Sequence, residues 1–268
     1  MVELEPEEDV PIHLEGSGRI AQSLLLDSLS ALDPSLSERV KSEPRGAPPY
    51  SVGRILVPEP EGARGVAVLR AGSSARFFVG LADDSLAEPV RRALEAADLE
   101  VASVPVSCRV REVRSEPYED LLSTEPARRI SLRTRNPLVL GDSPLAEEVL
   151  PRWDPWRRPL DPAHLLSLPL RAWRAYAPEP ARIPLSAVRA LRRVEVPRVE
   201  LERVVSRIPA GGRWERVPGY SGLIEVSPAS LDLVSGTLVA ALARLAEYTG
   251  LGSRTTHGFG SVSVRFYG

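Results

Sequence analysis

The chain of 268 residues has few of the residue types that build disulfides and metal centres. It contains one cysteine, Cys108, which excludes a disulfide within the chain and a cysteine-based zinc site. Its three histidines, His13, His164 and His257, lie far apart in the sequence, which argues against a histidine-based metal centre. We therefore predict that the protein uses neither a metal nor a cofactor.

Long apolar runs and a surplus of basic residues are also missing. Without a signal peptide or a run of about 18 apolar residues, the sequence predicts a cytoplasmic protein with no membrane partner. The net charge is −2 and the pI is near 6.1, so no overall basic field favours nucleic acid. A basic face can still coexist with acidic helices. Of the 34 basic residues, Lys41 is the single lysine, and arginine binds phosphate in bidentate fashion.

Hydrophobic periodicity predicts the same order of elements in both halves of the chain. Residues 1–9 are acidic and are expected to be a loose start. The first half then reads as a strand at 10–14, a helix at 18–32, a short helix at 35–41, strands at 50–57, 65–70 and 76–81, a helix at 86–97 and a strand from 99. The second half reads as a strand around 130–134, a helix at 159–176, a hairpin at 194–226, a helix at 231–248 and a strand at 262–266.

This order is that of the βαββαβ unit, repeated in topology rather than in sequence. We predict an α+β fold of two tandem ferredoxin-like, RRM-like domains with antiparallel sheets. The first domain is expected to cover residues 1–122 and the second residues 127–268. The four tryptophans, among them Trp214, are expected in the core rather than as base-stacking platforms.

A glycine-rich loop separates the last helix from the last strand. Gly250, Gly252, Gly258 and Gly260 form two Gly-x-Gly pairs that enclose Ser-Arg-Thr-Thr-His. Glycine permits positive φ and close backbone approach, so such a loop can aim N–H groups at a phosphate. The loop leaves a helix and enters a strand, whereas P-loops and Rossmann loops follow a strand and open a helix. Nucleotide-binding folds are therefore excluded.

The run Glu-Tyr-Thr-Gly-x-Gly-x-Arg-Thr-Thr-x-Gly-x-Gly at 247–260 resembles the glycine-rich loop of the RAMP superfamily of CRISPR-associated RNA-binding proteins. It is most similar to the repeat-processing endoribonuclease branch. Weaker similarities follow in the family's order at 29–36, 49–52, 136–137, 150–156 and 219–222. The resemblance implies metal-independent cleavage of precursor crRNA, in which the 2′-OH attacks the adjacent phosphate. The implied partners are CRISPR repeat RNA, other effector-complex subunits and a second copy of the chain.

The resemblance also indicates where the catalytic residues lie. Many members carry a histidine just before the loop that precedes the Pro-aromatic segment, but this chain has Lys41 there. An ammonium is a poor base at neutral pH, so Lys41 is predicted to stabilise phosphorane charge or protonate the leaving oxygen. Tyr50 is predicted to orient the 2′-OH, and His13 to act as substitute base. A helix-end charge, a core aromatic and a surface histidine are the respective structural alternatives.

The residues predicted to bind RNA fall into three groups, which solvated surface positions would explain as well. They are Arg254 and His257 with the glycines 250, 252, 258 and 260; Arg45 and Arg54; and Arg129, Arg133 and Arg135 on one strand face. Two other functions stay open. The chain could be a catalytically weak RAMP protein that holds repeat RNA for an effector complex. It could also be a tandem ferredoxin-like module for a small anionic ligand or a protein partner.

Overall fold

The computed structural model describes residues 1–42, 47–58, 65–140, 161–181, 183 and 189–268. The strands in these ranges are β1 (Val2–Pro6), β2 (Val10–His13), β3 (Tyr50–Val52), β4 (Val66–Leu69), β5 (Ala75–Phe77), β6 (Val79–Leu81), β7 (Leu99–Val101), β8 (Val104–Val110), β9 (Arg129–Thr134), β10 (Glu195–Ala210), β11 (Arg213–Ser227) and β12 (Val262–Tyr267). The helices are α1 (Ser17–Leu32), α2 (Pro34–Lys41), α3 (Ala87–Ala96), α4 (Tyr118–Leu122), α5 (Pro162–Leu165), α6 (Ser167–Tyr176) and α7 (Leu233–Thr249).

The first sheet has the strand order of a ferredoxin-like unit. β1 lies between β8 and β5 and pairs antiparallel with both. Only Phe78 separates β5 from β6, and β6 pairs antiparallel with β3. Across the sheet the strands are therefore β8, β1, β5 with β6, and β3. These are the fourth, first, third and second strands of the βαββαβ unit, whose helices are α1 and α3. β7 is added at the edge beside β8.

The prediction of a loose start at residues 1–9 is wrong, because Val2–Pro6 is the central strand of this sheet. Leu4 is fully buried and Val2 nearly so, while the intervening Glu3 is only partly buried. The alternation of apolar and acidic residues is a strand pattern with one face on the core. The segment Val10–His13 does form a strand, but it pairs with β4 in a separate two-stranded ribbon.

The second sheet repeats the same order. β9 lies between β12 and β11, and β10 pairs with β11, all antiparallel. α5 and α6 lie between its first and second strands in the chain, and α7 between the third and fourth. The predicted α+β fold with two ferredoxin-like units and antiparallel sheets is therefore confirmed.

The β10–β11 hairpin is longer than the sheet to which it belongs. β9 pairs only with residues 223–226 of β11, whereas β10 and β11 stay paired up to Ala210 and Arg213. The distal hairpin therefore projects beyond the sheet, and there it contacts the first half of the chain. The backbone N–H of Arg207 donates to a carboxylate oxygen of Glu15 at 2.7 Å.

α7 joins the two halves of the chain. It begins at Asp232, whose carboxylate accepts a hydrogen bond from the N–H of Ser235, and residues 239–243 within it are fully buried. At its end, the carbonyl of Tyr248 accepts a hydrogen bond from the Ser51 hydroxyl at 2.5 Å. Within the described part of the chain, no helix combines the length and apolar character needed to cross a membrane.

Gly80 lets β6 approach α7, and a substitution there tests the junction. A Cβ at Gly80 would lie 1.9 Å from the carbonyl oxygen of Tyr248, a distance that requires the backbone to move. We expect Gly80→Ala to lower the free energy of unfolding by about 2–3 kcal/mol, measured by urea denaturation. Gly53→Ala is the matched control, because its Cβ would meet its nearest atoms at 3.5 Å. Equal free energies of unfolding for the two variants would contradict the close contact between β6 and the end of α7.

Candidate RNA interface

The glycine-rich loop packs directly on the start of α1. A Cβ added to Gly258 would lie 2.5 Å from the Cα of Gly18, and a Cβ on Gly18 would lie 2.4 Å from the carbonyl oxygen of His257. Gly258 also has a φ of +84°, which disfavours any other residue. The loop and the helix therefore meet backbone to backbone, so the residues beside this contact are brought close together.

Several loop amides are hydrogen-bonded within the protein. The N–H of Leu251 donates to Gly260, that of Ser253 to Val139 at 2.8 Å, and that of Gly260 to Pro137 at 2.9 Å. The four glycines 250, 252, 258 and 260 all have positive φ and face protein atoms within 3 Å of a Cβ position. The structure thus explains these glycines by packing, and their predicted contacts with RNA stay predictions.

Arg254 connects the loop to the hairpin. Its guanidinium donates to both carboxylate oxygens of Glu215 on β11, at 2.9 and 2.7 Å. This bidentate hydrogen bond raises the pKa of Arg254 and lowers the pKa of Glu215. Arg254 is therefore already paired, and an RNA phosphate at this point would compete with Glu215.

Arg54 lies under the hairpin, just after β3. Its Nη2 donates to the hydroxyl of Ser206 on β10 at 2.8 Å, and its guanidinium lies 5.2 Å from the ring centroid of Phe259. Burial lowers the pKa of Arg54, against the opposing effect of Glu15. Among the described residues, its buried Nε has no hydrogen-bond partner.

Two further buried nitrogens without a partner lie beside Arg54, again counting only described residues. They are Nε of Arg19, which follows Gly18 on α1, and Nδ1 of His257 in the loop. We call Arg19, Arg54, Arg254, His257 and Glu215 the loop cluster. Leaving a buried donor unsatisfied costs about 1–3 kcal/mol, and a phosphate oxygen is the natural acceptor for guanidinium donors. The cluster can therefore receive an anion.

His257 is neutral at pH 7 in this environment. Burial, and after it the positive charges of Arg19 and Arg254, lower its pKa to about 4, while Glu215 acts in the opposite direction. A neutral imidazole can accept a proton as well as donate a hydrogen bond. The negative charge of a bound phosphate would move the pKa back towards its ordinary value.

Tyr50 lies next to the loop cluster. Its side chain is 5 % exposed, and its hydroxyl accepts a hydrogen bond from Nε2 of Gln22 at 3.1 Å. Gln22 is one turn after Arg19 on the same face of α1. Of the three predicted catalytic residues, Tyr50 is therefore the one that hydrogen bonding and helix position connect to the cluster.

Lys41 and His13 have partners outside the loop cluster. Lys41 ends α2 and pairs with Glu38 on its own helix at 3.0 Å. His13 ends β2, and its ring packs edge-on against Trp214 of the hairpin at 4.7 Å between centroids. Arg45 lies outside the described residues. The described residues also contain no group of three or more His, Cys, Asp or Glu arranged to hold a metal ion.

The predicted basic stripe on β9 is only partly available. Arg129 lies over the ring of Tyr267 and 3.9 Å from Glu225. Arg133 is exposed, and Arg135 lies over Phe78 at 5.7 Å. Arg135 also lines a cavity of about 610 Å³, whose charged residues are of both signs: Arg91, Arg114, Arg244, Asp84, Glu112, Glu116 and Glu247. This cavity therefore has no clear preference for an anion.

Sequence reasoning missed Arg19 and Glu215, and the prediction of Trp214 as a core residue is wrong. Trp214 is 52 % exposed at the hairpin tip. The Gly-Arg step at residues 18–19, at a helix start, was an available signal for Arg19. Glu215 had none, because only the fold brings the hairpin to the loop.

The lowered pKa of His257 predicts a pH dependence of stability. A histidine held neutral in the folded state stabilises the fold above pH 6.5, and this stabilisation is lost as the pH falls towards 4. We expect the wild type to lose about 1–2 kcal/mol more over this range than His257→Gln, less than the full shift because water reaches part of the ring. Urea denaturation at pH 7, 5.5 and 4.5 measures it. Parallel curves for the two proteins would contradict the burial of a neutral imidazole.

Comparison with known proteins identifies a family model and solved structures that this chain resembles. Residues 137–262 match the family model described as CRISPR-associated endoribonuclease Cas6, a range that includes the whole glycine-rich loop. No curated protein matches the sequence. A product complex of the Thermus thermophilus protein Cas6 (TTHB231) superposes with a TM-score of 0.70 at 24% identity, covering 98% of both chains. A Cas6-related protein from Pyrococcus furiosus gives 0.58 at 14% identity, covering 98% of this chain and 97% of the other.

A structure described as an RAMP protein binding different RNA substrates gives a TM-score of 0.61 at 15% identity, with 98% of both chains covered. At these identities the structural matches establish the fold, and the family model identifies the loop region. Motif, family match and strand order agree. The chain thus has the fold of these Cas6 structures, and its residues 137–262 match the Cas6 family model, as its glycine-rich loop predicts.

Proposed function

We propose that the protein binds CRISPR repeat RNA and cleaves precursor crRNA without a metal ion. The observation that carries this proposal is a set of three buried nitrogens, on Arg19, Arg54 and His257, that have no hydrogen-bond partner among the described residues where the loop meets α1. Structural neighbours described as a Cas6 product complex and a Cas6 substrate mimic complex support the same function. The RNA lies where the predicted domains, residues 1–122 and 127–268, meet.

In the proposed reaction the nucleotide's own 2′-oxygen attacks the adjacent phosphorus. The bond to the 5′-oxygen of the next nucleotide breaks, which leaves a 2′,3′-cyclic phosphate and a 5′-OH end. The 2′-OH loses its proton to a base, and the leaving oxygen gains one from an acid. The loop cluster holds the phosphate, and its guanidinium groups stabilise the charge that builds on the non-bridging oxygens.

Support for the individual residues is uneven. Tyr50 remains the proposed orienting group for the 2′-OH, since its hydroxyl is beside the loop cluster through Gln22. Lys41 remains the proposed cation for the leaving group, although Glu38 holds it on its own helix. His13 remains the proposed substitute base. Arg45, Arg129, Arg133 and Arg135 remain proposed contacts to the RNA backbone.

A catalytically weak RNA-binding protein is the second candidate. The ion pair of Lys41 with Glu38, in place of the family's histidine, favours it, because no strong base then stands at the expected position. Such a protein would hold repeat RNA for other effector-complex subunits or bind it as a dimer. Binding without cleavage separates this candidate from the nuclease, and absence of RNA binding would leave a tandem module for another ligand.

Cleavage of repeat RNA in EDTA tests the proposal. We expect a product that polynucleotide kinase labels at its 5′-OH and whose mass fits a cyclic phosphate. Arg54→Gln should lower kcat/KM about 100-fold, since a charged hydrogen bond to the phosphate is worth about 2–3 kcal/mol. Arg92→Gln, an exposed arginine on α3, is the matched control. If no product forms at any enzyme excess, the proposal that the protein is a nuclease is wrong. If Lys41→Ala cleaves at the wild-type rate, Lys41 is not a catalytic residue.

Glu215 supplies a prediction of opposite sign. Its carboxylate occupies Arg254 and lies near Arg19 and His257, so it repels an incoming phosphate. We expect Glu215→Gln to bind repeat RNA several-fold more tightly at low salt and to steepen the salt dependence by about one counterion. The control is Glu88→Gln, which breaks an ion pair with Arg91 on α3. Weaker binding by Glu215→Gln would show that phosphate does not enter the loop cluster.

A further inference from the structure

The hairpin tip presents an aromatic ring where the fold gives it no core to enter. Trp214 pairs with Pro209 across the hairpin, one residue before Glu215 of the loop cluster, and is 52 % exposed. Leaving half an indole in water forgoes the stabilisation that its burial would give. A lone exposed apolar residue needs no explanation, so the surroundings of Trp214 decide its meaning.

The first half of the chain fixes the position of this indole. His13 packs edge-on against it at 4.7 Å with an interplanar angle of 70°, and β2 holds His13 by pairing with β4. The tip itself is tied down, since the N–H of Arg207 donates to Glu15. A Cβ on Gly16 would lie 3.0 Å from the side chain of Pro209. The ring is therefore held in place before any ligand arrives, which lowers the entropy cost of binding.

Positive charge surrounds the ring. Arg207 and Arg216 lie directly opposite each other on β10 and β11, and both are exposed. Like charges in such a pair destabilise a hairpin. Among the described residues, neither arginine forms an ion pair, nor does Arg213 beside the ring, whereas Arg198 at the other end of β10 pairs with Glu200. The tip thus combines a rigid aromatic face with arginines whose side chains form no ion pair within the described ranges.

A nucleotide matches this combination, because a base stacks on an aromatic face while arginine receives the phosphate. Bases within a duplex already have both faces stacked, so only an unpaired base can use the ring. The same hairpin supplies Ser206 to Arg54 and Glu215 to Arg254. The hairpin therefore connects the tip directly with the loop cluster.

We propose that Trp214, held by His13, is a stacking platform for one unpaired nucleobase of the repeat RNA, and that Arg207, Arg213 and Arg216 receive the neighbouring phosphates. His13 acts here as a positioning residue for the indole. The inference rests on the proposed function and deepens it, since it names which part of the RNA the hairpin tip recognises. An acidic protein segment is the competing occupant that the test separates.

The test uses the full chain and its host's repeat RNA, with the 2′-OH at the cleavage site replaced by hydrogen. In a series of RNAs, one nucleobase at a time is removed while the phosphate backbone stays intact, and Kd is measured at fixed salt. For the wild type we expect one unpaired position whose base removal weakens binding about tenfold. Trp214→Leu should bind intact RNA about tenfold more weakly and lose nothing further at that position. Trp214→Tyr, which can still stack, should retain most of the affinity and the coupling.

The controls separate the possible failures. Val199→Ala removes an exposed apolar side chain from the same β10 strand and should leave every Kd unchanged. His13→Ala should weaken the response at the coupled position and at no other. If the wild type binds repeat RNA but Trp214→Leu binds it equally well, or no position is coupled to Trp214, the platform is overturned and the proposed function stands. That result would favour an acidic protein segment as the partner of the hairpin tip. If the wild type binds no repeat RNA, both proposals fall.

Discussion

The structure depends on two places where the backbones of its halves touch without side chains between them. Gly18 meets Gly258 at the start of α1, and Gly80 meets the carbonyl of Tyr248 at the end of α7. Both contacts use a glycine because a Cβ at either position would overlap backbone atoms. They set the distance between the glycine-rich loop and the first sheet. The close approach of the two backbones also determines where the neighbouring side chains lie, including those of Arg19, Arg54 and His257.

This arrangement also creates the electrostatic character of the site. Arg254 pairs with Glu215, Arg19 and His257 lie close enough to affect the pKa of Glu215, and Arg54 lies near Glu15. Three arginines therefore share two carboxylates, which leaves a surplus of positive charge in partly buried surroundings. Glu215 offsets part of this charge by holding Arg254, and the lowered pKa of His257 removes another part by keeping the imidazole neutral. The charge of the cluster is thus partly compensated in the free protein, while buried N–H donors remain that a bound anion can satisfy.

The sequence predicts most of this fold because periodicity reports local structure. The helices near residues 18–32 and 231–248, the hairpin and the last strand are where hydrophobic spacing predicts them. The first strand was missed because glutamates alternate with its apolar residues, so that composition concealed a regular pattern. The site is less predictable, since the contact of Glu215 with Arg254 joins residues 39 apart that only the hairpin geometry brings together. The glycine motif resembles a family loop, but the packing of Gly258 on α1 depends on the tertiary structure and cannot be read from the sequence.

A net charge of −2 argues against nucleic acid only if charge is spread evenly, and here it is not. Several arginines form ion pairs with nearby carboxylates that offset their charge, such as Arg91 with Glu88 and Glu95, and Arg70 with Asp9. At the hairpin tip, Arg207, Arg213 and Arg216 have no such partners among the described residues. These arginines lie on the hairpin close to Glu215 of the loop cluster. A phosphate chain senses charge over roughly 8–10 Å at physiological salt, so the local surplus, rather than the total, decides what this surface can bind.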